Sequence, residues 1–450
     1  MTPITSRCAG PFYDSLGDSA HPCLEREFAF SPRKFISAGA CVGVLLFAAL
    51  FMTTCSRPAQ FAVNDPTPIQ HIVFIIKENR TFDNYFGDFH GADGAISGLT
   101  STGQRVDLSS IDDCDESNLC NTWSCSLEAI DAGKMDKFDL TAHNLEAYGR
   151  MTEQDLPSYW AYARHFAMAD HFFSAVHGPS FPNHLFTVAP QSGGVMDNVV
   201  GASGGTNCDG TPSGTVSVMD QDGNVTQQSP CLDFQTLPDL LSAAGISWRY
   251  YGGSFGGILS TIRHIRNGPL WQNATADEPQ FLTDAAAGNL AAVSWVLPPE
   301  GMSEHPPESA CQGENWTTQV LNTLMQSPEW NSTAVFIAWD DSGGYYDHVP
   351  TPRVDQFDLG PRVPLLIISP FARSGYVSHT VSEPSSLLKF VERRYHLRAI
   401  NARDGDASDM LDNFDFSQPP QAPFLLRARS CPQTSRVAPH PAAYTAFDND

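Results

Sequence analysis

His71-Ile72-Val73-Phe74-Ile75-Ile76-Lys77-Glu78-Asn79-Arg80-Thr81-Phe82-Asp83 opens the folded part of this chain. Ile72 to Ile76 are five apolar residues in a row, the pattern of a strand buried on both faces of a sheet. In open α/β sheets such a strand delivers the residues after it to the carboxyl edge, where ligands bind. Here those residues are Glu78 and Asn79, two hard oxygen donors side by side. The arrangement returns downstream, where Ala334-Val335-Phe336-Ile337-Ala338-Trp339 runs into Asp340-Asp341-Ser342-Gly343-Gly344 and then Asp347-His348. An acidic residue after one strand is most often a turn or cap residue. Two such blocks, with a candidate nucleophile between them, predict one divalent metal held by Glu78, Asn79, Asp340 and Asp341.

The nucleophile candidate lies in His177-Gly178-Pro179-Ser180-Phe181-Pro182-Asn183-His184. Gly178, Pro179 and Pro182 make a rigid irregular turn around one hydroxyl. A serine is a weak nucleophile until a base or a metal lowers its pKa, and metal activation suits the flanking donor blocks. Taken alone, the segment reads as a proline-rich surface turn. Asn183 is placed to offer its amide to a substrate oxygen. Among fourteen histidines, His184, His305 and His348 stand out, each in a proline- or glycine-defined loop next to a strand end.

Around these blocks, strand and helix patterns alternate with no internal repeat, which predicts a three-layer α/β/α, doubly wound, mostly parallel sheet. Further strands are expected at Ser247 to Tyr251, Val293 to Leu297 and Val363 to Ser369. Helices are expected at Leu156 to Phe173, Leu232 to Ala244, Trp316 to Met325 and Ser385 to Tyr395. Residues 201–229 read as a surface insertion.

The chain has 450 residues, 42% of them hydrophobic, enough for a large core. Its formal charge of −24 (26 basic against 50 acidic residues) argues against a nucleic-acid binder. Phosphate substrates remain open, because a bound metal supplies positive charge that the net count hides. Residues 35–54 carry no charge and come directly after Arg33 and Lys34. That pattern is expected of a signal anchor or signal segment that places residues 56–450 outside the cytoplasm, in the cell envelope or beyond. The organisation expected is a polar segment at 1–34, the membrane segment at 35–54, a linker at 55–67, one catalytic domain at 68–430 and an irregular tail at 431–450. Seven of the eleven cysteines lie beyond Cys55 with no CxxC pair, which favours disulfides over a zinc knuckle. Cys208 with Cys231 is one expected bridge, and two of Cys114, Cys120 and Cys125 another.

Five motifs occur in order: His71 to Asp83; Gly133-Lys134-Met135-Asp136-Lys137-Phe138; Gly178-Pro179-Ser180 with Pro182-Asn183; Ser303-Glu304-His305-Pro306-Pro307; and Asp340-Asp341 with Gly343-Gly344 and Asp347-His348-Val349-Pro350. Together they resemble the bacterial phosphoesterase family that includes phosphatidylcholine-type phospholipases C and acid phosphatases, within the alkaline phosphatase superfamily. The resemblance covers roughly residues 68–400. It implies that Glu78, Asn79, Asp340 and Asp341 bind one metal ion, that Ser180 attacks phosphorus, and that Asn183, His305 and His348 contact the substrate, a phosphate monoester or a phospholipid. Three positions depart from the pattern. Asn121-Thr122-Trp123 and Glu383-Pro384-Ser385 stand where the family often has a histidine, and Asp341 stands where glutamate is more usual. A headgroup phosphotransferase and a non-catalytic metal-binding relative are the alternatives.

Overall fold

The computed structural model describes residues 67–432, except 116, 118, 202–207, 209–213 and 253–256. Residues 1–63 and 64–450 separate as two units, and everything described falls in the second. The expected membrane segment at 35–54 lies outside the described residues, as does nearly all of the expected tail. Among the described residues no helix is long and apolar enough to cross a membrane.

The centre is a seven-stranded sheet. In chain order its strands are β1 (His71–Lys77), β2 (Ala167–Ala169), β3 (Trp248–Tyr251), β4 (Val293–Val296), β5 (Thr333–Trp339), β6 (Leu365–Ile368) and β7 (Tyr376–Ser378). Across the sheet they run β7-β2-β6-β5-β1-β4-β3. All are parallel except β6, which is antiparallel to both β5 and β2. β1 is an interior strand, pairing Ile72 with Val293 on one side and Ala334 on the other. Its apolar run is therefore buried throughout, as a central parallel strand requires.

Side chains alternate across a strand, so neighbours in sequence serve opposite faces. On β5, Phe336 packs against Phe390 of helix Pro384–Tyr395, while Trp339 packs edge-on against Tyr159 of helix Pro157–His165. The second helix also contacts Ala310–Gln326, which contacts Glu278–Ala287. Helices thus cover both faces of the sheet.

The expected strands at β1, β3, β4, β5 and β6 are present. β2 is a correction: it lies inside the segment 156–173 expected to be one helix, which ends at His165. The helix at 232–244 is confined to Leu237–Ala243, started by a capping box from Thr236 to Asp239. The described residues after Pro419 are irregular but tied down. Asn322 Nδ2 donates to the Leu426 carbonyl, Arg429 pairs with Glu314 at 2.8 Å, and Cys431 is bonded to Cys311. The disulfides Cys120–Cys125 and Cys208–Cys231 match the expected bridges, whereas Cys311–Cys431, across a separation of 120 residues, is not among them.

Candidate metal centre and active site

β1 and β5 are parallel neighbours, so Glu78-Asn79 and Asp340-Asp341 emerge side by side at one edge. The Asn79 amide donates to Asp340 Oδ1 at 3.0 Å, locking the two strand ends together. Asn79 takes a left-handed backbone (φ 56), which asparagine tolerates better than most residues. Gly343, at φ 57, donates its N–H to Asp341 Oδ1 at 2.7 Å. A Cβ on Gly343 would lie 2.7 Å from Asn79 Cβ, so only glycine fits beneath the donors.

Ser180 begins the short helix Ser180–Phe186, aimed at this edge. Its Oγ lies 3.0 Å from Glu78 Oε2, 3.2 Å from Asn79 Oδ1 and 3.0 Å from Asp341 Oδ2. One hydroxyl proton can satisfy only one of three acceptors. Three carboxylates, an amide oxygen and a hydroxyl converging in a nearly dry site form the donor set of a hard or borderline divalent cation, and the residues present fit one.

The electrostatics agree. Burial, then the charge of Asp340, raises Glu78 to about 7 against the pull of His184. Burial and Asp340 also push Asp341 well above its ordinary value. Burial works against Asp340 too, but hydrogen bonds from His184 and its neighbours win and hold it at about 2. A bound cation would let all three ionise together, with release of protons.

His184 stands out in the sequence, yet the expected site leaves it out. Its Nε2 lies 3.0 Å from Glu78 Oε1 and 3.2 Å from Asp340 Oδ2, and its side chain is 3% exposed. Burial opposes its charge, yet the two carboxylates raise its pKa to about 10. A signal for it exists: a histidine four residues after a serine on one helix shares its face.

Asn183, expected to offer its amide to a substrate oxygen, makes its hydrogen bonds within its own turn. It is fully buried, and its Nδ2 donates to the Gly178 and Pro179 carbonyls at 2.7 and 3.0 Å while its Oδ1 accepts from the Val176 N–H. The side-chain amide thus braces the turn that carries Ser180. His305 is near enough to Glu78 for its charge to lower that carboxyl's pKa, and its Nδ1 faces the Pro306 carbonyl at 2.6 Å. Its loop is clasped by buried Glu304, which pairs with Lys77 at 3.0 Å and accepts from Tyr85, Tyr159 and Trp339. Sequence reasoning misses this clasp. His348 belongs to a separate cluster: its Nδ1 is 2.7 Å from Asp83, and Asp83 and Asp347 share the buried guanidinium of Arg362. Its ring nitrogens are taken up there, not by the metal ligands.

Of the departures from the family pattern, Glu383 caps helix Pro384–Tyr395 and pairs with Arg403 at 2.9 Å. Trp123 packs edge-on against His177.

The model of the phosphoesterase family matches residues 69–398, and the chain belongs to that family. A non-hemolytic phospholipase C of Pseudomonas aeruginosa is 28% identical over 88% of this chain and 65% of its own length. Phospholipase C B of Mycobacterium tuberculosis is 28% identical over 79% of each chain. The chain therefore spans 65% of the first relative's length. A solved protein of the alkaline phosphatase superfamily from Vibrio parahaemolyticus matches at 11% identity and TM-score 0.35 over 78% of this chain and 70% of that one.

Proposed function

We propose that this protein is an extracytoplasmic, metal-dependent phosphoric ester hydrolase of the phospholipase C type. The observation that carries the reading is Ser180 Oγ, set within 3.0–3.2 Å of Glu78, Asn79 and Asp341 at the carboxyl edge of the sheet. A divalent cation held by Glu78, Asn79, Asp340 and Asp341 would stabilise the serine alkoxide and the charge that develops on phosphoryl oxygens. Ser180 attacks phosphorus and the leaving alcohol departs, giving a phosphoseryl enzyme that water then cleaves. His184 holds Glu78 and Asp340 in place, and His305 stands where it can meet a phosphoryl oxygen or protonate the leaving group. The names of the relatives favour a phospholipid diester over a monoester. The three disulfides and the charge-free stretch at 35–54 favour export, with 35–54 as anchor or signal and 68–430 as the catalytic domain.

The test is the full chain assayed on phosphatidylcholine, a chromogenic diester and a chromogenic monoester, before and after chelation. Cleavage of phosphatidylcholine that is lost with EDTA and regained with divalent metal is the expected result. Turnover of the monoester alone would point to an acid phosphatase. Headgroup transfer to an added alcohol without hydrolysis would point to a transferase, and no turnover of any substrate to a binding protein.

A further inference from the structure

A second group of metal-ligating side chains lies on the same sheet edge, two strands beyond β5. β2 and β7 are parallel neighbours with Ser378 opposite Ala169, so the residues just past them, Asp170-His171 and His379, leave the sheet together. His171 Nδ1 is 2.9 Å from Asp170 Oδ1, and His379 Nδ1 is 3.0 and 2.8 Å from Asp170 Oδ1 and Oδ2. One ligand atom from each of the three residues lies within 4.8 Å of the others. The two rings stand at 78° with centroids 6.1 Å apart, opening like jaws over the carboxylate.

Two features separate this group from an ordinary ion-pair cluster. Asp170 is fully buried, and its carboxylate contacts only the two imidazoles and the Asp93 N–H, at 2.7 Å. The nearby guanidinium of Arg362 is spent elsewhere, on Asp83, on Asp347 and on the backbone carbonyls of Asp93 and Asp170. Meanwhile, the far nitrogen of His171 faces Asp93 Oδ2 at 3.4 Å. A carboxylate behind a histidine whose other nitrogen looks into the site is the usual support of a metal-bound imidazole. His379 is 59% exposed, so an ion has an entry path.

We propose that Asp170, His171 and His379 form a second metal site, distinct from the catalytic one, that takes a borderline transition ion such as Zn2+ and pins the ends of β2 and β7. Two nitrogens and one carboxylate suit zinc, cobalt or nickel and disfavour calcium and magnesium, which prefer all-oxygen shells. Water can complete a four-coordinate shell.

The test uses the full chain, stripped with chelator, dialysed against low-micromolar Zn2+ and counted by mass spectrometry. Asp341→Asn serves as a background in which the catalytic site is impaired. In that background one zinc is expected, lost when His379→Ala or His171→Gln is added. In the otherwise unaltered protein, His379→Ala should hold one zinc fewer while ester hydrolysis stays within twofold. Cobalt should give visible absorption of a nitrogen-ligated site in Asp341→Asn, bleached by His379→Ala. Equal zinc in His379→Ala and the unaltered protein, or no zinc in Asp341→Asn with colourless cobalt, overturns the site and leaves imidazolium–carboxylate pairing as its explanation. Failure of the catalytic reading shows elsewhere, as hydrolysis indifferent to Asp341→Asn.

Discussion

Ser180 reaches the proposed metal donors through space and Thr81 lies two residues from Asn79 in sequence, and their contacts differ. Thr81 Oγ1 accepts from the Asn84 N–H at 3.1 Å and donates to the Tyr346 carbonyl at 2.7 Å, so it caps a helix and faces away from the donors. Ser180→Ala should lower hydrolysis about a thousandfold or more with an unchanged melting temperature. Thr81→Ala should keep turnover and lose about 1 kcal/mol of stability. Steady-state kinetics beside thermal melts of the two variants check both, and the reverse pattern would move the nucleophile to the first motif. His177 makes a pH prediction. Burial lowers it to about 4, and its Nδ1 finds no partner. The unfolded chain therefore binds the extra proton first, and the folded state loses stability as pH falls from about 6.5 towards 4. At about 1.4 kcal/mol per pKa unit the loss is roughly 3 kcal/mol. Urea melts at pH 7 and pH 4 should show that difference shrinking in His177→Gln. An equal drop in the variant would assign the acid sensitivity to other groups.

Among elements, the end of β1 and the loop 303–307 are held by the Lys77–Glu304 pair, both side chains fully buried. Burial lowers the Lys77 pKa and Glu304 opposes the shift. Glu304→Leu leaves that ammonium without its partner, and about 3–5 kcal/mol of stability should go with it. Hydrolysis should fall too, because His305 loses its footing. A denaturation curve that shifts by less than about 1 kcal/mol would mean the pair is not the clasp described. The same region marks how far the sequence is legible. β1 and β5 are long apolar runs, and the oxygen-donor pairs Glu78-Asn79 and Asp340-Asp341 stand at their ends as the pattern implies. β2 is three residues, Ala-Met-Ala, of weak strand preference, and it continues the aromatic periodicity of the helix before it, so nothing local marks the break. β7 is equally short, at the sheet's edge, and half exposed. His184 owes its role to Glu78 and Asp340, and Glu304 most of its role to Lys77, Tyr85 and Tyr159, all more than a hundred residues away, a distance over which spacing carries no information. The bonds of Asn183 to its own turn are not legible either, because an amide three residues after a serine looks the same in sequence whichever way it faces.

At the scale of the molecule, the chain's last described residues return to helix Ala310–Gln326 and are fastened by Cys311–Cys431. Closing so long a loop is worth about 4–5 kcal/mol in the chain-entropy account. Cys311→Ser with Cys431→Ser should cost much of that, measured by denaturant melts. A double variant as stable as the parent would mean the ion pair of Arg429 with Glu314 suffices alone.

β1 is the first strand of this sheet in chain order and lies in its interior, yet both its neighbours come more than two hundred residues later. Among the described residues, no strand before Val293 pairs with it. The sheet therefore has no early nucleus, and its closure waits on contacts that are remote in sequence and slow to form. Of β1's two pairings, the one with β5 spans the longer stretch of chain, so Glu78-Asn79 cannot meet Asp340-Asp341 until that strand has been made.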